Sequence, residues 1–355
     1  MIEMRRKADP QLVYLDPFLV DRLRLDAGLS KKVLAHEAAL AVNTVLSFFD
    51  GGGLQPSVAQ RIAMTFKKNV TDLLAPWDPR YVPPKVPTGP SAGMPEWMTQ
   101  GYLDQGRLAP NGLYYIVCRM EHRHTAGRLG RGKFYHLSWL PPAKRDEMQH
   151  KLSRHANVCE RLGSHPNIVV NHSSTPVVND DGWWVIDQWV GPLSLQNILN
   201  AGKLPPAQLP RLLRDIALGL SALHEAGVIL RELAPARVLL SERDGRAVLT
   251  DFELAKLLDG SPSVSSDWPD DPFRAPELDG GVTTVQADLY SLGRIALAAA
   301  ATLETPVDQA VVTFGAAGMP KKLARYLTDC LHSLPSRRPP ELARILDELA
   351  RWAER

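Results

Sequence analysis

The sequence predicts an α+β protein preceded by a small all-α unit, and three observations carry that prediction. Between Leu113 and Val190 short apolar runs of β type follow one another, interrupted by one helical stretch, Ala143 to Leu162. Beyond Leu195 the apolar residues recur mainly at helical spacing, and a strand-rich half followed by a helix-rich half is the α+β order. Upstream, the segment from Pro76 to Pro95 holds seven prolines, which remove backbone donors and hold the chain extended, so it reads as a semi-rigid linker. The resulting division is an N-terminal arm (1–16), a helical domain (17–75), a proline-rich linker (76–104) and the α+β domain (105–355).

Composition excludes several function classes. Of 355 residues 45% are hydrophobic and 23% charged, the balance of a chain that buries a sizeable core. Lysine plus arginine number 41 against 39 acids, and a net charge of +2 supplies no global field toward nucleic acid or acidic membranes. Any such contact must be local. Cys118, Cys159 and Cys330 stand far apart without metal-ligand spacing, which predicts reduced buried thiols, a cytoplasmic location and no metal site. The first ten residues lack an apolar signal core, and the most apolar later stretch is broken by Arg294, Glu304, Pro306 and Asp308, so neither secretion signal nor membrane span is expected.

In the N-terminal part, Phe18 to Leu25 has helical spacing, and Ser30 offers an N-cap before Lys31 to Ala38. A further helix, Val42 to Phe49, stops at Asp50-Gly51-Gly52-Gly53, and Gln55-Pro56-Ser57 opens another that runs to about Lys68. This order resembles the repressor-like (Cro-type) helix-turn-helix family over residues 17 to 74. The resemblance implies that Val42, Asn43, Thr44 and Ser47 face the major groove of double-stranded DNA, with Lys31 and Lys32 on the backbone. Asn43 would pair with adenine and Thr44 touch a thymine methyl. The sequence departs from the family in having no Lys or Arg between Lys32 and Arg61, and only ten basic against eight acidic residues in the first 75. Phe48 and Phe49 read as core or dimer contacts.

In the C-terminal part, several motifs occur in a fixed order. His165-Pro166-Asn167-Ile168-Val169 follows the single long helix of the strand-rich half. Trp183 to Val190 forms a strand, leading to Ser194-Leu195. Leu223 to Ile229 leads into LRELAPARVLL (230–240), then come Thr250-Asp251-Phe252-Glu253 and Arg274-Ala275-Pro276-Glu277. Asp288 to Gly293 and Pro335 with Arg338-Pro339 follow. These resemble, in order, the motifs of protein kinases, including H-R-D-L-K-P-x-N, D-F-G and A-P-E, over about 250 residues. The resemblance implies a bilobal fold, Ile186 near the gatekeeper and Asp187 at the hinge. It also implies a structural pair Glu277–Arg338, and Asp288 accepting hydrogen bonds from the catalytic-loop backbone.

At the catalytic positions the resemblance breaks down. Phosphoryl transfer needs a carboxylate on the nucleophile, metal ligands bridging the phosphates and a lysine on the nucleotide. Glu232 stands in the base position and is one methylene longer than aspartate. Ala234 replaces the loop lysine, Arg237 the metal-binding asparagine, and Glu253 the D-F-G glycine. Asp251 alone remains as a metal ligand. Along Phe134 to Leu140, Ser138 falls where the nucleotide-gripping lysine belongs, with Lys133 nearby as the alternative. Leu108 to Tyr114, at the phosphate-loop position, keeps one glycine, and Gly127 to Gly132 reads as a hairpin turn. No glutamate falls at the family's helix position, where Arg154 or His155 appears. His122, His124 and His136 lack an acid or cysteine partner at ligand spacing. Ser261, Ser263, Ser265 and Ser266 lie in the expected activation segment.

The sequence therefore points to a cytoplasmic, non-catalytic regulator: a pseudokinase that receives a protein partner or ligand, expected to bind ATP and Mg²⁺ weakly or not at all. It is joined to a DNA-docking module that works as a homodimer. The alternatives are an atypical phosphoryl or nucleotidyl transferase using Glu232 and Asp251, and a protein-binding scaffold without DNA.

Overall fold

The computed structural model describes residues 11–49, 52–75, 78–80, 94–108, 114–137, 142–177, 182–202, 204–259 and 271–354. The chain divides into two compact units, Met1–Ser91 and Ala92–Arg355.

The first unit packs four helices, α1 (Pro17–Asp26), α2 (Lys31–Glu37), α3 (Val42–Phe49) and α4 (Pro56–Thr65), with a 3₁₀ turn at Val70–Leu73. Ser30 caps α2 by accepting the Val33 amide at 3.1 Å, and Pro56 starts α4 where a missing N–H costs nothing. Val20, Leu34, Val45, Phe48, Ala59, Ile62 and Leu73 form the core. Phe48 is thus a core residue, and Phe49 leans on it at 4.7 Å with the Lys31 ammonium 4.4 Å above its ring. The unit extends past the expected boundaries at both ends. Val13 and Leu15, in the stretch read as an arm, are buried and bridge to Leu54 and Leu74. Asp78, in the stretch read as linker, accepts the Tyr14 amide at 2.8 Å and pairs with Arg80.

The second unit opens with an antiparallel sheet of β1 (Trp97–Leu108), β2 (Tyr114–His122), β3 (Leu129–His136), β4 (Asn171–Pro176) and β5 (Gly182–Gln188), in the order β1-β2-β3-β5-β4. It begins at Trp97, eight residues before the expected domain start, because β1 pairs along its length with β2. Strand alternation separates two faces. Tyr135, Leu137, Trp183 and Val185 pack on Met148 and Leu152 of α5 (Pro142–Leu162), whereas Trp97, Met120, Phe134, Trp184 and Ile186 cluster on the other face. Of the glycines read as a hairpin turn, only Gly127 turns the chain, at φ +75°. Gly130 and Gly132 lie inside β3, where a Cβ would come within 2.9 Å of Trp97 and 2.2 Å of Met120.

The second half is helical: α6 (Leu195–Asn200), α7 (Leu209–Glu225), α8 (Val285–Ala300), α9 (Ala310–Ala316), α10 (Lys321–Cys330) and α11 (Ala343–Ala353). α7 and α8 bury Leu213, Ile216, Leu220, Leu292 and Ile295 in one core with Leu323, Leu327 and Ile345. Two short ribbons, β6 (Val228–Ile229) with β9 (Lys256–Leu257) and β7 (Val238–Leu240) with β8 (Ala247–Leu249), carry the loops that face the sheet. No helix among the described residues is long and apolar enough to cross a membrane.

Candidate functional site

The loops between β6 and β7 and after β8 meet the α5-facing side of the sheet. The β6–β7 loop is held from below by Asp288 of α8, whose carboxylate accepts the amides of Leu230 at 2.9 Å and Arg231 at 2.8 Å and contacts His224 at 2.9 Å. Arg231 takes φ +67°, and its guanidinium donates to the Leu254 carbonyl. Farther down, Arg338 grips both oxygens of Glu277, at 2.6 and 2.8 Å. These contacts fix the loop without reaching the cleft.

In the cleft the charged side chains pair with one another. The ammonium of Lys133 on β3 forms an ion pair with Asp251, which follows β8 at φ +68°. The guanidinium of Arg237 pairs with Glu232 through Nη2 and donates from Nη1 to the Asp251 carbonyl at 3.1 Å. Tyr135, two residues after Lys133 on the same strand face, donates its hydroxyl to Glu253 at 2.7 Å. Ala234 leads into the turn that carries Arg237.

Burial and charge set the protonation of this group. Burial lifts the Glu232 carboxyl to about 7, even with the Arg237 guanidinium beside it, and Glu253 adds to the rise. Burial acts in the same direction on Asp251, but Lys133 and Arg237 outweigh it and hold that carboxyl well below the usual range. Burial opposes the charge of Lys133, and the carboxylates of Asp251 and Glu253 still raise its pKa. Burial and Glu253 together keep the Tyr135 phenol neutral.

On α5, Lys151 pairs with Glu147 at 2.6 Å, Arg154 donates to the Ala255 carbonyl at 2.9 Å, and His155 stacks on Phe252 with centroids 5.3 Å apart. His155 Nδ1 accepts the Phe252 amide at 3.2 Å, which leaves Nε2 to donate to Asp187 at 2.8 Å. Asn171 adds a bond to the same carboxylate at 2.9 Å.

Two expectations are corrected here. Asp187 is not at a hinge: it lies inside β5, 1% exposed, against α5. Ile186, one residue earlier, is therefore on the opposite sheet face with Trp97 and Trp184, turned away from the cleft, because side chains alternate along a strand. The cation that reaches Asp251 is Lys133, the alternative to the Ser138 position; Ser138 itself, most of the expected phosphate-loop stretch and Ser261 to Ser266 lie outside the described residues. Above these pairs is a cavity of about 330 Å³, lined by Tyr102, Tyr115, Arg131, Lys133, Leu193 and Asn197, among others. From β3, Arg131 points its Nη1 at the Gly191 carbonyl, 3.5 Å away.

A protein kinase domain model matches residues 130–351, more than half of the chain. The chain belongs to the protein kinase family. Serine/threonine-protein kinase pkn2 of Myxococcus xanthus is 31% identical over 163 residues, 41% of this chain and 19% of that protein. Serine/threonine-protein kinase PknJ of Mycobacterium tuberculosis is 34% identical over 146 residues, 39% of this chain and 24% of that one. The chain thus spans a quarter or less of the length of these two relatives. The family match begins inside β3, so β1 and β2 of this kinase-family protein are established by their pairing alone.

Sequence reading missed the Tyr135–Glu253 bond and the His155–Asp187 pair. Their signal is parity: Lys133 and Tyr135 share one face of β3, and Asp187 shares its face with Trp183 and Val185.

Proposed function

We propose that this protein is a non-catalytic member of the kinase family, a regulator whose kinase-like unit receives a protein partner or ligand and whose N-terminal unit docks on DNA. The observation that carries the first half is Arg237. Its guanidinium lies against both groups that phosphoryl transfer would need, the Glu232 carboxylate and the Asp251 segment.

The nucleotide and divalent cation that the family uses do not fit these residues. The Asp251 carboxylate is engaged by Lys133 and by Thr250 Oγ1 at 3.0 Å, and its carbonyl by Arg237. A fixed positive charge beside it repels Mg²⁺. Arg131 adds a further guanidinium to the lining of the cavity. Purified full-length protein is accordingly expected to show no Mg²⁺-dependent stabilisation by ATP and no autophosphorylation. Incorporation of phosphate that is lost in Asp251→Ala would overturn the reading.

For the N-terminal unit, the support is the outward side of α3, where Asn43 and Ser47 are exposed and Thr44 half-buried, with Lys32 exposed on α2. So few charges give a shallow salt dependence, and useful affinity requires two copies on half-sites about one helical turn apart. A specific observation favours a second reading, protein binding without DNA: the same surface exposes Val33, Val42 and Leu46. Random-site selection followed by gel shift separates the two, since enrichment of a sequence that Asn43→Ala abolishes belongs to DNA readout alone. A cytoplasmic setting is part of the proposal, supported by three buried free cysteines.

A further inference from the structure

α9 is apolar on all sides. Its residues, Ala310 to Ala316, include one polar side chain, Thr313, and no charge. Ala310 and Phe314 turn into the core, while the opposite side leaves Val311 68% and Val312 77% exposed, with Gly315 and Ala316 exposed beside them and Val307 in the turn before. A helix that is hydrophobic all round belongs in a buried place, and here much of its circumference faces water. Single exposed apolar residues need no explanation, but a contiguous ridge of them marks a contact surface. The foot of this ridge opens into a groove. Ala317 and Gly318, which follow α9, line a cavity of about 470 Å³ together with Pro206, Ala207, Pro210 and Trp352. It lies wholly on the helical half and shares no lining residue with the cavity beside Lys133. One copy of the chain thus carries an apolar ridge and an apolar groove side by side.

Charge divides along the same line. Between Ile295 and Pro320 the chain has Glu304 and Asp308, both exposed, and no Lys, Arg or His. The groove is flanked instead by the exposed cations Arg211, Lys321, Lys322 and Arg351. Lys322 and Arg351 share one carboxylate, Glu348, at 2.7 and 2.6 Å, and Arg211 stands 4.0 Å from Asp215 and Asp244. We infer that this face is an interface between two copies of the chain, related by a two-fold axis, in which the α9 ridge of each seats in the groove of the other. A ridge and a groove on one face are what an isologous contact needs, because the axis brings each against its complement twice. The same operation sets Glu304 and Asp308 of one copy toward Arg211, Lys322 and Arg351 of the other, and such complementarity fixes register and disfavours other partners. The inference goes beyond the proposed function: it gives the kinase-like unit its own dimer contact, which stands whether or not the N-terminal unit meets DNA.

The test is analytical ultracentrifugation of the full chain without DNA. Wild-type protein should pass from monomer to dimer over roughly 1–100 µM, the range of a contact of modest size. Val312→Lys sets a cation on the ridge against the cationic flank of the groove, and Ala207→Glu sets an acid in the groove against the acid-flanked ridge. Each should weaken self-association by about 100-fold or more. Both positions are exposed, so far-UV spectra should match the wild type and show that the fold is kept. Mixed one to one, the two variants should associate again, because the mixed pair keeps one intact ridge-and-groove contact and sets the introduced cation against the introduced acid in the other. A wild type that stays monomeric throughout this range overturns the inference. So does a dimer that either variant leaves intact, or a mixture of the two folded variants that stays monomeric.

Discussion

Two arginine–glutamate pairs in the kinase-like unit use the same chemistry and differ in everything around them. Arg338 meets Glu277 with two parallel bonds and also donates to the carbonyls of Gln286, His332 and Ser333, with the Tyr290 ring 5.0 Å from its charge. Every donor direction is answered by a fixed acceptor, which makes the pair a rivet between the A-P-E segment and the late arginine motif. Arg237 meets Glu232 among further carboxylates, and burial, with Glu253 and Asp271 adding to it, leaves Glu232 with a proton affinity near neutrality. The first pair holds the fold, and the second balances charge in a cleft.

The comparison can be broken most directly at the rivet. Arg338→Ala should cost about 3–5 kcal/mol in chemical denaturation, because Glu277 is left as a buried, uncompensated charge. Glu232→Ala should cost less, because Asp251, Glu253 and Asp271 still act on the Arg237 charge. Equal unfolding midpoints for the two variants would erase the distinction drawn here.

The cleft pair should announce itself through pH. The folded-state pKa of Glu232 lies near 7, above its ordinary 4.5, so the native state holds more protons than the unfolded state between those values. Its stabilising contribution is present below about pH 4.5 and is lost as pH rises through 7, up to about 3 kcal/mol for a shift of this size. Asp251 runs the other way: its lowered pKa gives stability above its unfolded value that is lost as pH falls below about 4. In Glu232→Gln the decline between pH 5 and 7 should flatten while the acid limb stays. An unchanged profile would show that Glu232 does not titrate there.

A smaller effect is expected at the sheet, where Tyr135→Phe removes the bond to Glu253 and should cost about 1–3 kcal/mol by leaving a buried acceptor short of a partner. A neutral result would place the stabilisation of Glu253 elsewhere. Asn43→Ala, on the exposed side of α3, should stay within about 0.5 kcal/mol of the wild type while removing any sequence-selected DNA binding. Loss of stability there would make Asn43 a packing residue.

How far the residues could be read depended on whether their signal was local. The order of LRELAPARVLL, Asp251-Phe252-Glu253 and Ala275-Pro276-Glu277 is carried in contiguous chain, and so was the substitution of Arg237 into a site that needs an oxygen ligand. The start of the sheet at Trp97 was hidden because β1 declares itself by pairing with β2, and three register shifts blur its alternation. Ile186 was expected near the gatekeeper and Asp187 at the hinge, whereas both lie inside β5 and alternation turns Ile186 away from the cleft, which no local pattern in the chain records.

By itself, the sequence determined that this is a two-part chain with a helical front and a kinase-like α+β body, and that Glu232, Ala234, Arg237 and Glu253 depart from the kinase motifs. Those properties follow from periodicity, proline content and motif order, each readable within a short window. Only the tertiary structure decided which charges meet. Lys133 and Asp251 are 118 residues apart, as are Tyr135 and Glu253, and His155 finds Asp187 across 32. Pairing over such distances is selected by burial: once folding removes these groups from water, each must find an opposite charge or a hydrogen-bond partner, and no spacing in the chain records which one it finds.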